Sequence, residues 1–545
     1  MTTGTDVELC EEPRTDDPSQ ACAASCLPGI DRCLAHAGEQ AREEFLAGLV
    51  PGAAIDMGGV PFTADLLARL LDAVRDPRAD NRPSLGRASF VGASFSGNAD
   101  FGGASFSRDA HFGRASFSRY ADFGGTSFLG DADFVGASFS GDTRFSGASF
   151  SGNAHFGRTS FSGYADFGEA SFSGNARFRW ASFSGKADFG WTSFSGYADF
   201  IRASFSGDVY FVRALFSEDA YFNEAKFASE AGWFSCRIGI LSLDDVVAEG
   251  EVRVEATAGQ VSAWRLRSAG RVALRLRTAR VDLSELVCSG PVSVHALARP
   301  IPGVPDLDGP TRVAVTSLRG VDAGSLTLTD VDLRQCLFAG LHRADQIQLD
   351  GHCTFAPGPG GRRRVLAEEH HWHAARRTAR RGAPGPWRPA PDGVEVVGPR
   401  RIEVIYRQLR KALEEGKNEP GAADFYYGEM QMRRAAARRG ERLLLWLYWV
   451  TSGYGLRAGR ALTALIVAVA ALALAMQHAG FPGAPPSYLD ALLYAFRSAF
   501  AVDIKTPTVP ETVTRWGQVI RIALRIAGPL FIGLAALAIR NQVKR

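Results

Sequence analysis

Residues 93–114 read ASFSGNADFGGASFSRDAHFGR, and the phenylalanines in this stretch decide the fold. Phe95, Phe101, Phe106 and Phe112 are spaced six, five and six residues apart. The same alternation runs unbroken from Phe90 to Phe227. Two residues before each Phe stands a small or β-branched residue, usually Ala, with Thr126, Thr143, Thr159, Thr192 and Val209 as variants. The unit is A-S-F-S-G-x-A-D-F-G-x. An amphipathic helix is excluded, because a 3.6-residue period would scatter the rings around its circumference. Gly and Ser at nearly every step oppose a helix further.

In a strand, Ala at i−2 and Phe at i share a face. Each such pair predicts one short inward wall, and the Ser-Gly or Gly-x after it a corner. Stacked walls bury a column of Phe beside a column of Ala, a core that no single repeat could make alone. On these residues the repeat resembles the pentapeptide-repeat family, whose members form a four-sided right-handed β-helix. The resemblance implies inward Phe95/Ala93 and Phe101/Ala99. The departure is a sixth residue in every second unit, at Asn98, Asp109, Tyr120, Asp131, Asp142, Asn153, Tyr164 and Asn175. Four walls of alternating length then predict a 22-residue coil, with the extra residues stacked as outward bulges at two opposite corners. About six such coils, about 30 Å long, are expected here.

Working outward, residues 236–300 (Ile238, Ile240, Val252, Val254, Val261, Leu266) read as short, imperfectly alternating strands with Gly turns. A strict five-residue frame returns in Leu328, Leu333 and Phe338. One solenoid is expected to continue through both, interrupted by the Pro-rich loop 299–310. Upstream, Leu66, Leu67, Leu70, Leu71 and Val74 mark a helical cap over about 30–80.

The C-terminal third changes character. Residues 356–400, rich in Pro, Gly and Arg, read as a linker. From Glu403 the period is helical (Ile405, Leu409, Leu413, Phe425, Met430), followed by Arg433, Arg434, Arg438, Arg439 and Arg442. Ala461–Met476 is uncharged, with only Thr463 polar, and with its flanks is long enough to cross a bilayer. A second apolar stretch runs from about Val519 to Ile539, with Arg521 and Arg525 near its start. Basic residues before the first span and after the second (Arg540, Lys544, Arg545) predict a multi-pass protein of the cell membrane, both ends and the solenoid cytoplasmic. Between the spans, SYLDALLYAFRSAF (487–500) suits an interfacial or re-entrant helix.

The expected fold is mainly β: a right-handed quadrilateral β-helix, then an α-helical segment and two transmembrane helices. Its divisions are 1–84 (disordered N-terminus and helical cap), 85–230 (regular 5+6 solenoid) and 231–355 (irregular continuation). They continue with 356–400 (linker), 401–450 (amphipathic juxtamembrane helices) and 451–545 (two-helix membrane module). The span–helix–span layout resembles the pore module of potassium-type channels. LAEEHHWH (366–373), YRQLRKALEEGKNEPGAADFYYGEMQMRR (406–434), YWVTSGYGLRA (448–458) and the terminal GPLFIGLAALAIR resemble the tail of actinobacterial pentapeptide-repeat membrane proteins. Some relatives of that kind carry an oxidoreductase label.

Several candidate sites compete with plainer readings. Thr451-Ser452-Gly453-Tyr454-Gly455 looks like a potassium filter but precedes the first span, and 499–507, where a filter belongs, has no glycine. A turn is expected. Glu368-Glu369-His370-His371-Trp372-His373 offers metal ligands in Glu369, His370 and His373 without a second cluster, so a solvated helix is expected. Cys22, Cys26 and Cys33, with His36 following, could bind zinc, but their spacing fits no established pattern and reduced thiols are expected. No nucleophile elbow, P-loop, zinc-protease or dinucleotide motif is present, so no catalytic residue, cofactor or metal is assigned.

Net charge is only +3; Met1 to Asp17 is acidic and polar, so no cleaved secretory signal is expected, and the eight cysteines, ordinary usage, are expected to stay reduced. Within 85–230 basic and acidic residues nearly balance, which disfavours nucleic acid and the DNA-mimic binding of topoisomerases. The reading is a non-enzymatic scaffold on the cytoplasmic side of the membrane. Its expected partners are membrane lipid and a protein on the solenoid surface, with a homo-oligomer through the spans also possible. The alternative is a degenerate ion-channel-like or sensor module regulated by the solenoid. An oxidoreductase has no residue support.

Overall fold

The computed structural model describes residues 9–13, 21–361, 363–500 and 512–543, and the chain divides into two units, Met1–Phe355 and Ala356–Arg545. Parts of the N-terminal stretch expected to be disordered (1–8 and 14–20), like Lys544 and Arg545, lie outside the described residues. In the first unit every coil of the regular array carries four short strands, of two residues each from Ser94 to Phe205, with the four-residue Val209–Val212 in the last coil. Each pairs in parallel with its counterpart on the next coil: Ser94 with Ser116, Ala99 with Ala121, Ser105 with Ser127, Ala110 with Ala132. The 22-residue coil expected from the 5+6 spacing is the one observed.

The core is a set of ring stacks. Rings one coil apart lie nearly parallel, as in Phe134–Phe156 (4.9 Å, 4°), and rings on adjoining walls meet edge to face, as in Phe145–Phe156 (5.3 Å, 84°). Both arrangements suit the ring quadrupole. Where Thr replaces Ala, its buried hydroxyl is not orphaned. Thr126, Thr159 and Thr192 donate to the carbonyls of Phe101, Phe134 and Phe167 at 2.7–2.9 Å.

Corners come in two kinds. Five-residue segments end on a left-handed residue, such as Gly103, Gly125, Trp180 or Trp191. The Asp before the Phe braces this turn by accepting from the amide two residues on, as Asp100 does from Gly102 (2.9 Å) and Asp122 from Gly124 (2.7 Å). Six-residue segments carry the extra residue at the surface, where its side chain reaches up the stack. Asp109 accepts from the Asp131 amide (3.1 Å), Asp131 from that of Asn153 (2.8 Å), and Asn153 from that of Asn175 (3.2 Å). The residue before it is usually Gly for a steric reason. A Cβ on Gly185 would lie 2.3 Å from the Gly163 carbonyl oxygen of the coil beneath.

The coil then shortens. Ala231 pairs with Val252, one residue short of the regular coil, and Val252 pairs with Val272, two residues short of it. Trp233 closes the aromatic column above Phe211 (5.4 Å, 3°), and Val254, Leu274 and Val294 continue it. The loop around 299–310 is extruded from the coil. Ala279 therefore pairs with the distant Val313, Val292 with Leu326 on the following wall, and the register slips by one residue between Val281 and Asp282.

Strands begin before residue 85. Ala53–Asp56 and Pro61–Phe62 are already walls, with Phe62 paired to Phe95, half as far again along the chain as in a regular coil. The surplus forms helix α2 (Ala64–Ala73), which follows α1 (Glu39–Ala47). The Thr63 hydroxyl caps α2 by accepting from the Leu66 amide (3.2 Å), and Leu66, Leu67, Leu70 and Leu71 are buried. The cap helix is thus an excursion from the first coil, which hid that coil's period.

The second unit opens with a short antiparallel pair, Ala356–Pro357 with Arg364–Val365. Helices α3 (Ala367–Arg381), α4 (Pro399–Glu415), α5 (Glu419–Ala436) and α6 (Arg439–Ser452) follow, then α7 (Ala458–Ala479), α8 (Tyr488–Phe500) and α9 (Arg515–Val543). Helix α3 lies inside the segment expected to be a linker; flanking Pro and Gly set that composition, while AEEHHWHAARRTARR itself favours a helix. Helices α7, α8 and α9 pack through Leu465, Val469, Ala473, Ala495, Ala499 and Leu524. Gly528 permits the approach, since its Cβ would sit 2.1 Å from the Ala499 carbonyl oxygen. Both α7 and Arg515–Arg540 of α9 are long and apolar enough to cross a membrane.

Candidate functional site

The solenoid walls present four outward columns. Two opposite walls carry a serine ladder, Ser94–Ser116–Ser138–Ser160–Ser182–Ser204 and Ser105–Ser127–Ser149–Ser171–Ser193. The other two mix Asp, Arg, His and Tyr. The aspartates are already committed to corner amides, as above, so the repeat uses them for architecture. Trp180 and Trp191 project from corners at 52% and 59% exposure, each under an arginine (Arg202 at 4.7 Å, Arg213 at 4.6 Å).

The N-terminal cysteines do not disperse. Residues 9–13 and 21–25 pair antiparallel, and the Cys10 amide donates to the Ala24 carbonyl (2.9 Å). That pairing brings Cys10 and Cys22 beside a tight turn in which the His36 and Ala37 amides donate to the Cys33 carbonyl (3.1 and 2.9 Å). One ligand atom from each of Cys10, Cys22, Cys33 and His36 lies within 4.8 Å of every other. Cys26, grouped with Cys22 and Cys33 from the sequence, is not among them; Cys10 takes its place. Burial pushes the Cys33 thiol up to about 12 and raises Cys22 as well, against backbone amides that favour their thiolates.

Glu368–His373 is helical, but buried rather than solvated: Glu368, Glu369, His370 and His371 all lie inside. Glu369 is fully enclosed and paired with Arg363, and it accepts from the Tyr406 hydroxyl (2.6 Å), which in turn accepts from the Leu366 amide (2.9 Å). Burial alone would raise its pKa. The Arg363 charge, the hydrogen bonds from Arg363 and Tyr406, and the nearby His373 ring (3.6 Å) outweigh that and hold it well below the carboxylate range. His370 contacts the Pro357 carbonyl (3.2 Å) and His373 stacks on Trp387 (4.1 Å). These residues form a buried ion-pair and hydrogen-bond network, not a converging ligand set.

A cavity of about 700 Å³ opens between α3, α5 and α6, with Arg376, Arg434, Arg439 and Arg442 beside Trp372 and Trp446. The Nη1 of Arg434 is buried without a partner. Burial and the neighbouring charges of Arg380 and Arg442 depress the Arg376 pKa. The basic run 433–442 was visible in the sequence; the contribution of α3 was not.

The family profile described as Pentapeptide repeats (9 copies) matches residues 123–171 and 167–215. The chain carries a pentapeptide-repeat solenoid. No curated protein and no solved structure matches it. Pentapeptide-repeat solenoids are typically non-enzymatic. Downstream of the pentapeptide-repeat solenoid, Thr451 and Ser452 end α6, and Gly453, Tyr454 and Gly455 are left-handed in succession. The Tyr454 ring is buried against Tyr427 (5.3 Å) and Tyr448 (5.7 Å), and Ser452 Oγ accepts from the Gly455 amide (3.1 Å). This is a helix-joining turn. Of the stretch 499–507, Ala499 and Phe500 finish α8 and the rest lies outside the described residues.

Proposed function

We propose that this protein is a non-enzymatic, membrane-anchored scaffold whose solenoid walls receive a protein partner on the cytoplasmic side. The observation that carries the anchor is the exposure of α7 and α9. Only 28% and 22% of their apolar windows are buried, and Ile466, Val467, Ile522 and Ile526 project outward. A core helix of a soluble protein would be covered; a lipid-facing helix need not be. With 22 residues, α7 spans about 33 Å, enough for the hydrocarbon layer. The arginine-lined cavity next to exposed Leu443, Leu444 and Trp446 suits anionic headgroups, and the basic flanks favour a cytoplasmic orientation.

The scaffold half rests on a long, repetitive surface whose carboxylates already serve its own corners. The test is fractionation of full-length protein followed by a detergent-extracted pull-down, repeated with the solenoid alone. The expected result is recovery in the carbonate-resistant membrane pellet and the same partner with both baits. A soluble full-length protein overturns the anchor; a partner captured only with the helical unit present overturns the scaffold.

A further inference from the structure

Three sulfurs and one imidazole meeting in a small N-terminal lobe ask for an explanation that packing does not supply. A tetrahedral zinc with Zn–S of about 2.3 Å and Zn–N of about 2.0 Å sets S···S edges of about 3.8 Å and S···N edges of about 3.5 Å. The observed separations are 3.8 Å for Cys22 Sγ–Cys33 Sγ, 3.5 Å for Cys10 Sγ–His36 Nδ1 and 3.4 Å for Cys33 Sγ–His36 Nδ1. Three of the six edges therefore match the tetrahedron the ion needs, and the other three are no longer than 4.8 Å. We propose that Cys10, Cys22, Cys33 and His36 bind one thiophilic divalent ion of the zinc class through three sulfurs and Nδ1.

The surroundings fit a closed, structural site. Cys10, Cys22 and Cys33 are 1%, 6% and 0% exposed, leaving no open coordination position for a substrate. Backbone amides point at the sulfurs: that of Ala24 at Cys22, and those of Ala35 and His36 at Cys33. Such donors stabilise thiolate ligands and orient them. Soft thiolate plus imidazole in a tetrahedron selects zinc over the hard cations magnesium and calcium.

The ion would also have structural work to do. The lobe's own apolar core is little more than Leu27, Leu34 and Ala37, too small to order it unaided. Through this lobe the Ser25 amide reaches the Gly58 carbonyl (2.8 Å) of the first coil. Gly59 accepts Ala24 so closely that a Cβ there would lie 2.9 Å from its Cα. Metal binding thus fastens a plug onto the first coil of the solenoid.

The rival use of the same sulfurs is a Cys22–Cys33 disulfide, which would strand Cys10 and His36. The test uses the full chain, purified in detergent from zinc-supplemented cells without a metal-affinity tag. Elemental analysis is expected to find one zinc per chain, and a zinc chelator to open the N-terminal lobe to protease. Cobalt reconstitution is expected to give tetrahedral ligand-field bands with sulfur charge transfer. Cys33→Ser and His36→Ala are expected to lower zinc at least fivefold, and Cys26→Ser to leave it unchanged. Because a variant could simply misfold, the wild-type measurement decides alone: no zinc, no cobalt spectrum and a Cys22–Cys33 disulfide by mass spectrometry would overturn the site. So would zinc retained in Cys33→Ser and lost in Cys26→Ser.

Discussion

The solenoid and the helical unit keep opposite kinds of core. In the regular coils the interior is neutral and repeated, each Phe meeting copies of itself. In the helical unit the interior holds charges once each: Glu369 with Arg363 and Tyr406, and Glu429 with Arg407 (3.0 Å) and Arg410 (3.1 Å). A repeated neutral core spreads its stability along the stack, with each coil supported only by its neighbours. A charged core concentrates stability in a few pairs, each costly to break because the partner is left buried and alone. One core is hurt by a missing ring, the other by a missing charge or an added proton.

The sharpest way to break this comparison is Phe156→Ala. That ring is stacked on both sides and edged by Phe145 and Phe167, so the walls cannot collapse into the gap, and a loss of about 5 kcal/mol is expected. Hydrogen exchange should localise the loss to coils either side. If Phe156→Ala costs no more than Leu274→Ala in the narrower coils, ring stacking is not what distinguishes the regular array.

Next is Glu369→Gln, which strands Arg363 and should cost the helical unit about 3 kcal/mol in denaturant titrations, leaving exchange in the solenoid unchanged. An effect shared by both units would undo the contrast. Acidification should act in the same direction and more weakly. Burial depresses His370 and His371, so their contribution is full above the ordinary histidine range and falls away as pH drops through it. Glu369, also depressed, adds a further loss only at much lower pH, as its carboxylate takes a proton. Melting of the helical unit that is flat from about pH 7 to 5, while the solenoid weakens, would reverse the assignment. The smallest effect belongs to the corners: Asp131→Ala removes the acceptor for the Asn153 amide and should cost about 1 kcal/mol, read as faster exchange at that amide.

What the sequence disclosed follows the same division. The walls were legible because each coil repeats the last, so the 5+6 spacing alone forced the register between coils. The shortening of the later coils was not, since Val254, Leu274 and Val294 carry no aromatic marker of position. The first coil was masked by α2, inserted where a corner belongs. In the helical unit no period links Glu369 to Arg363 six residues back or to Tyr406 37 residues on, so the segment looked like linker and solvated helix. Cys10 escaped for a similar reason. It reaches Cys22 by strand pairing, and the cluster resembles no fixed cysteine spacing until the chain is folded.

The constant register of the aromatic array gives the solenoid a unit of inheritance. Every regular coil meets its neighbours through nearly the same contacts, so gaining or losing one whole coil leaves all surviving contacts in place. Overall length then changes in steps of about 4.8 Å, the spacing between neighbouring strands. Unequal recombination within so repetitive a gene would produce such steps directly. An insertion of any other size has to leave the stack as a loop, as the Pro-rich segment near 299–310 does, or as a helix, as α2 does. Length polymorphism among related chains should therefore fall on whole coils within the aromatic array.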